Sequence, residues 1–191
     1  ELGAHLDVRG ARVIGAIELG VAVMGGASAR LVGVAVVDTT PDANGVNGMA
    51  MTAFDGARIE LAGCRFAGSH VAGLLFEHCD VAIDGSAFVL ARAAHPQTSR
   101  GISALQYGDG IIASKGTALA LRHSLLAGNL RAGVLGLGHF AVRLDSTAAT
   151  GNAWGVVLQN GATQAGSGSA IIGNSVQNVV ANGGLSVPTA P

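Results

Sequence analysis

Residues 117–139 read TALALRHSLLAGNLRAGVLGLGH, and residues 4–26 read AHLDVRGARVIGAIELGVAVMGG. Laid one above the other without a gap, Leu119 and Leu121 fall on Leu6 and Val8, Ser124 on Ala11, and Leu126 on Val13. Gly128 falls on Gly15 and the pair Gly133-Val134 on Gly20-Val21. Residues 57–78 keep the same frame through Ile59, Leu61, Cys64, Phe66, Gly68 and Gly73-Leu74. Residues 140–161 repeat it with one deletion, residues 162–183 are a weaker copy, and two longer copies occupy 27–56 and 79–116. The chain is therefore seven copies of a 22–23-residue unit, two of them carrying insertions. A fixed period of this length marks a repeat architecture in which each unit contacts only its neighbours.

Within each copy, apolar residues alternate with others, then comes a small side chain, another apolar residue, a glycine-centred turn and a second alternating stretch. Alternation at period two describes short strands with one face buried, and no copy leaves room for a long helix. A pair of strand regions joined by turns and stacked in parallel predicts an all-β fold. It is a right-handed parallel β-helix, a solenoid of about seven coils, with residues 1–184 as its body and 185–191 as a tail or linker. An isolated coil cannot bury its inner face, whereas stacked coils share one core.

Two columns of residues strengthen that reading. The small inward position runs Ala11, Val34, Cys64, Ser86, Ser124, Thr147, Ser169, where the interior bends and hydroxyls can bond from coil to coil. The position after the turn glycine runs Asn129, Asn152, Asn174 in three successive coils. Asparagine suits tight turns, and its amide can bond along a stack. This ladder resembles the turn ladders of the pectin-lyase-like superfamily of right-handed β-helices, and the resemblance spans nearly the whole chain. That superfamily includes lyases, hydrolases, epimerases, phage spikes and non-catalytic surface proteins, so the resemblance speaks for the fold and not for one activity. It also implies a secreted or cell-surface location in a bacterium.

Composition narrows the function. With 11 basic and 12 acidic side chains there is no cationic stripe of the kind that binds nucleic acid. Glu18 and Arg30 interrupt the most hydrophobic region, so no membrane-spanning stretch is present. Cys64 and Cys79 read as small apolar fillers rather than a disulfide framework, and the six histidines are dispersed. Neither a metal nor a cofactor is expected. A start at Glu1, with no helix to cap the first coil, suggests a piece of a longer polypeptide.

Both insertions, 38–47 (DTTPDANGVN) and 91–109 (ARAAHPQTSRGISALQYGD), enter at the same point of the coil. Loops on one edge of a solenoid are frequently its binding face. Trp154 and Tyr107, the sole tryptophan and tyrosine, are expected there to stack on sugar rings, with Asp42, His70 and His95 as polar partners. Asp38, Asp109, Arg100 and Arg131 are the catalytic candidates, because sugar hydrolysis needs two carboxylates and family lyases a base beside an acidic sugar. The chain nevertheless lacks the adjacent Asp-Asp pair and downstream His-Gly of β-helical hydrolases, and the epimerase-like Asp-Pro-His motif.

Outward charges in the first strand region form two columns, Asp7-Arg30-Glu60 and Asp84-Arg122-Asp145, which read as salt ladders. The second strand region is apolar on both faces, with Val21, Met49, Leu74, Ile111, Val134 and Val156 expected inside. Ala22, Ala50, Leu75, Ile112, Leu135 and Val157 are expected outside. A strand apolar on both faces is normally covered on both, which implies that either the long insertion folds back over the outer one or a further domain or a like subunit packs on it. The expected role is a non-catalytic carbohydrate-contacting or structural module of a larger extracellular protein, with a polysaccharide as its ligand. The alternatives are a polysaccharide lyase or glycoside hydrolase acting at the insertion edge, and an oligomeric spike or scaffold.

Overall fold

A computed structural model describes residues 3–43, 45, 47–92 and 108–181. Three parallel sheets of seven strands each make up the described chain, which visits them in strict rotation. The first coil places strands at His5–Arg9, Arg12–Ile14 and Leu19–Val23; the seventh places them at Thr163–Ala165, Ala170–Ile171 and Gln177–Ala181. Neighbours in each sheet are equivalent residues of successive coils, for example Leu119 beside Val81 and Val142. This all-β architecture is compatible with a parallel β-helix solenoid of roughly seven coils. No helix among the described residues is long and apolar enough to cross a membrane.

Each coil holds three strands where the repeat pattern suggested two strand regions. The extra corner lies one residue before the small inward position. There Gly10, Gly33, Gly63 and Gly85, then His123 and Ser146, all take positive φ between 47° and 61°. A left-handed residue turns the chain sharply, so the first strand region becomes a five-residue and a three-residue strand on different sheets. Glycine bears that conformation at no cost, while His123 and Ser146 are held in it by the coils on either side.

The interior is filled from all three sheets. Leu31, Ile59, Leu61, Leu121, Phe76 and Met51 are nearly or fully buried in one cluster. Phe66 and Phe88, paired in register on the second sheet, stack with centroids 5.4 Å apart and ring planes 6° from parallel. In the third sheet Met51 pairs with Val21 and with Leu74. Met51, not Met49, therefore continues the inward column, and Thr52, not Ala50, sits beside Ala22 and Leu75. Ala50 belongs to the core, while Met49 lies in a second cluster with Ile112, Leu135, Trp154 and Val157. The first insertion returns to the sheet two residues later than a count along the repeat suggests. Apart from Thr52 and Asp109 the third sheet is apolar on both faces, and its outer cluster is buried.

The corners are tied by side chains running along the stack. At the first corner the backbone N–H of Cys64 donates to Ser86 Oγ (3.1 Å), that of Ser86 to Ser124 Oγ (3.3 Å), and that of Thr147 to Ser169 Oγ (3.1 Å). The hydroxyls of Ser86 and Ser124 donate in turn to the carbonyls of Asp84 and Arg122. At the second corner Asn152 Oδ1 accepts from the Asn129 N–H (3.0 Å) and Nδ2 (2.9 Å), and Asn174 Oδ1 serves Asn152 the same way. The amides of Asn129 and Asn152 also donate inward to the carbonyls of Phe88 and Leu126. Polar corners are thereby buried with their hydrogen bonds made, each contributing about 0.5–1.5 kcal/mol net. Below Ala91, whose N–H donates to Asn129 Oδ1, the column continues as Ser69 and Thr39, whose buried hydroxyls find no partner among the described residues. Cys64 and Cys79 are buried free thiols, and burial pushes the Cys79 thiol up.

Candidate functional site

At the insertion corner the structure brings two of the expected residues together, Asp109 and Arg131. Asp109 opens the third-sheet strand of the fourth coil, and Arg131 directly precedes the equivalent strand of the fifth. Arg131 Nε donates to Asp109 Oδ1 at 2.9 Å and its terminal nitrogen to Oδ2, while the Ala132 N–H reaches Oδ1 at 3.0 Å. Asp109 is fully buried and Arg131 nearly so. Burial pushes the Asp109 carboxyl up from its ordinary value, opposed by the Arg131 guanidinium and the Ala132 N–H. Both carboxylate oxygens are engaged by a rigid two-pronged donor, and the pair lies buried, so the charge of Asp109 is balanced inside the fold. What this pair does chemically is to join two successive coils at the point where the long insertion rejoins the sheet.

The remaining expected residues are dispersed. Asp38 is exposed at positive φ (56°), its N–H donating to the Ala67 carbonyl. Asp42 and His70 are half-buried; the Asp42 carbonyl accepts from Gly45, and the His70 N–H donates to Gly48. Trp154 is only 5% exposed and packs in the cluster on the outer face of the third sheet, in register with Ala132. His95, Arg100 and Tyr107 lie outside the described residues. Among the described residues no three His, Cys, Asp or Glu side chains gather as a metal site.

A different concavity lies on the outer face of the first sheet. It encloses about 330 Å³ over the methyl groups of Ala62, Ala82 and Ala120, with Arg30 and Glu60 toward one end and Asp84 and Arg122 toward the other. Register explains its shape. Arg30, Glu60, Ala82 and Ala120 follow one another in a single outward column, and Ala62, Asp84 and Arg122 form the column beside it. Where long side chains give way to alanine, the sheet surface is left open between two charged rims. The site spans coils two to five, roughly 14 Å along the stack at the usual strand spacing. Its sequence signal was the run of alanines at outward positions between charged ones.

The rim arginines are loosely held. Arg30 Nε lies 3.4 Å from Glu60 and its terminal nitrogen 3.8 Å from Asp7, and Arg122 Nε lies 3.9 Å from Asp145. Asp145 is bound more closely by Arg143, at 2.6 Å, and also accepts the Ser167 N–H. The expected Asp7-Arg30-Glu60 ladder therefore exists, whereas the second keeps only its long Arg122–Asp145 step, and Asp84 contacts His123 Nδ1 at 2.9 Å instead. The hydrogen bond from Arg143, helped by Ser167 and by the charge of Arg122, holds the Asp145 carboxyl below the ordinary aspartate value. A depressed carboxyl stabilises the fold above its unfolded-state pKa, and that contribution disappears as pH falls through the folded value. An NMR titration is accordingly expected to place the Asp145 midpoint below that of a free aspartate, and Arg143→Ala to move it back up. An unshifted midpoint would remove Arg143 as its partner.

No protein-family model matches the chain, and neither a curated protein nor a solved structure is significantly similar to it.

Proposed function

We propose that this chain is a right-handed parallel β-helix of the pectin-lyase-like kind. On this reading it serves as a non-catalytic, carbohydrate-contacting module of a larger extracellular or cell-surface bacterial protein. The observation that carries the reading is the alanine-floored groove on the first sheet. A shallow trough with an apolar floor and a few convergent polar groups is what a ligand site requires. The alanine methyls offer a surface for the C–H face of a sugar ring. The carboxylates of Glu60 and Asp84 accept from hydroxyls, and the guanidinium groups of Arg30 and Arg122 donate to them. Two acids and two bases on the rim disfavour a polyanion and suit a neutral or sparsely charged oligosaccharide running along the stack. The non-catalytic half of the reading draws support from Asp109, whose carboxylate is spent on Arg131 and Ala132.

The test is a panel of neutral and acidic polysaccharides, followed both for retention of the protein and for release of unsaturated or reducing ends. Retention by a neutral glycan is expected, weakened about tenfold by Arg122→Ala, in line with the loss of a hydrogen bond to a charged group. No chain cleavage is expected. Cleavage abolished in an Asp38→Asn variant would overturn the non-catalytic reading and favour the insertion edge. Retention by a glycan that Arg30→Ala and Arg122→Ala leave unchanged would remove the groove as its site.

A further inference from the structure

The asparagine ladder spells out what its corner requires of each coil. Asn129 Oδ1 accepts the N–H of Ala91, the corner residue one coil earlier, at 3.1 Å, and its Nδ2 donates to the Phe88 carbonyl at 3.2 Å. Asn152 does the same for the Asn129 N–H (3.0 Å) and the Leu126 carbonyl (3.1 Å). Asn174 repeats it for the Asn152 N–H (3.1 Å) and the Ala149 carbonyl (3.0 Å). Each amide thus serves one N–H and one carbonyl of the preceding coil, and the carbonyl belongs to the inward residue of the second-sheet strand. Carried down to the third coil, the same rule falls on Ser69. Val36 and Phe66 are register partners, so the groups that this corner has to serve are the Thr39 N–H and the Val36 carbonyl.

Serine is too short to serve both. Its hydroxyl and that of Thr39 are buried, and neither has a partner. A buried hydroxyl left unpaired is less favourable than a methyl group in its place. Serine falls short of asparagine by about the space of one water molecule, whose share of liquid volume is roughly 30 Å³. We propose that Ser69 holds a buried water molecule at this corner, serine and water together replacing the asparagine of the later coils. The water accepts from the Ser69 hydroxyl and the Thr39 N–H and donates to the Val36 carbonyl. Three hydrogen bonds are the usual complement of an internal water. Ala91, one coil on, has no hydroxyl to anchor such a molecule, so the device belongs to the third coil. It secures the backbone where the first insertion leaves the second sheet, directly after Val37.

Two substitutions at one position are expected to move stability in opposite directions. Ser69→Asn completes the ladder and releases the water, and is expected to raise the melting temperature by about 2–4 °C. Ser69→Ala removes the anchor and is expected to lower it by a similar amount. With a hydroxyl that is simply unpaired, the alanine variant would instead melt at or above the wild type. In a corner with no space for water, asparagine would overpack the site and melt lower. Either result would overturn the proposal. A crystal structure of the wild-type chain is expected to show one water about 2.7–3.2 Å from Ser69 Oγ, the Thr39 nitrogen and the Val36 oxygen. Were Ser69 Oγ bonded there to a protein atom instead, the site would be ruled out even if neither variant folded.

Discussion

Replacing Phe88 with alanine is expected to cost the fold about 3–5 kcal/mol, the range for removing a large aromatic side chain from a close-packed core. Phe88 is fully buried, lies between Phe66 and Leu126 in register, and stacks on Phe66 at 5.4 Å. Its removal deprives Phe66 of a ring partner and opens a void at mid-stack, where coils above and below prevent collapse along the axis. Its own carbonyl is the acceptor for the Asn129 amide, so movement of the strand also strains the asparagine ladder. Thermal denaturation is the readout, with a fall of about 10 °C or more for a domain of this length. Phe88→Leu should retain most of the lost stability. If the alanine variant melted within about a degree of the wild type, the aromatic stack would not be the centre of this core.

Breaking the Asp109–Arg131 pair from one side should be of similar size. Asp109→Ala leaves the Arg131 guanidinium nearly buried without the carboxylate that balances it, and removing one member of a buried pair costs about 3–5 kcal/mol. The Ala132 N–H loses its acceptor as well. Removing both charges behaves differently. An Asp109→Leu, Arg131→Met double variant is expected to recover much of the loss, because two apolar side chains of similar volume carry no desolvation cost. A double-mutant cycle by chemical denaturation measures the coupling. A coupling near zero would mean that solvent reaches the pair and that the two charges do not depend on each other.

Much of this architecture was legible in the residues because the repeat writes each structural requirement several times over. The Ser86-Ser124-Thr147-Ser169 column and the Asn129-Asn152-Asn174 column were read from spacing, and both are hydrogen-bonded ladders. The Asp7-Arg30-Glu60 column was read the same way, and its members are register neighbours. What eluded the sequence was whatever depends on one residue of offset or on burial from outside the repeat. Met49 and Met51 are both apolar and two apart, so alternation alone places either one inside; the length of the first insertion decides. Trp154 was expected at a ligand edge because an aromatic at a turn looks available, yet its strand faces an apolar outer cluster. Asp109 stands in a column otherwise formed by Met49, Ala72, Ala132 and Trp154, and only the arrival of Arg131 from the next coil makes that tolerable. The groove was hidden for the opposite reason, since alanine at an outward position carries no signal until its neighbours in register are known.

The corner between the second and third sheets has a consequence for how such a chain can change. Register partners lie 23 positions apart at Leu119 and Val142, 30 apart at Ala29 and Ile59, and 38 apart at Val81 and Leu119. The surplus enters at that one corner, between the strands Ala35–Val37 and Met49–Phe54 and between Ala87–Val89 and Asp109–Ser114. Within a strand, a single inserted residue would swap inner and outer faces for the rest of that strand. At this corner the same insertion leaves every rung where it was. The molecule thus separates a part whose length is counted in whole coils from a part whose length is free. New epitopes, cleavage sites or contacts can be gained and lost on the free part while the counted part stays unaltered.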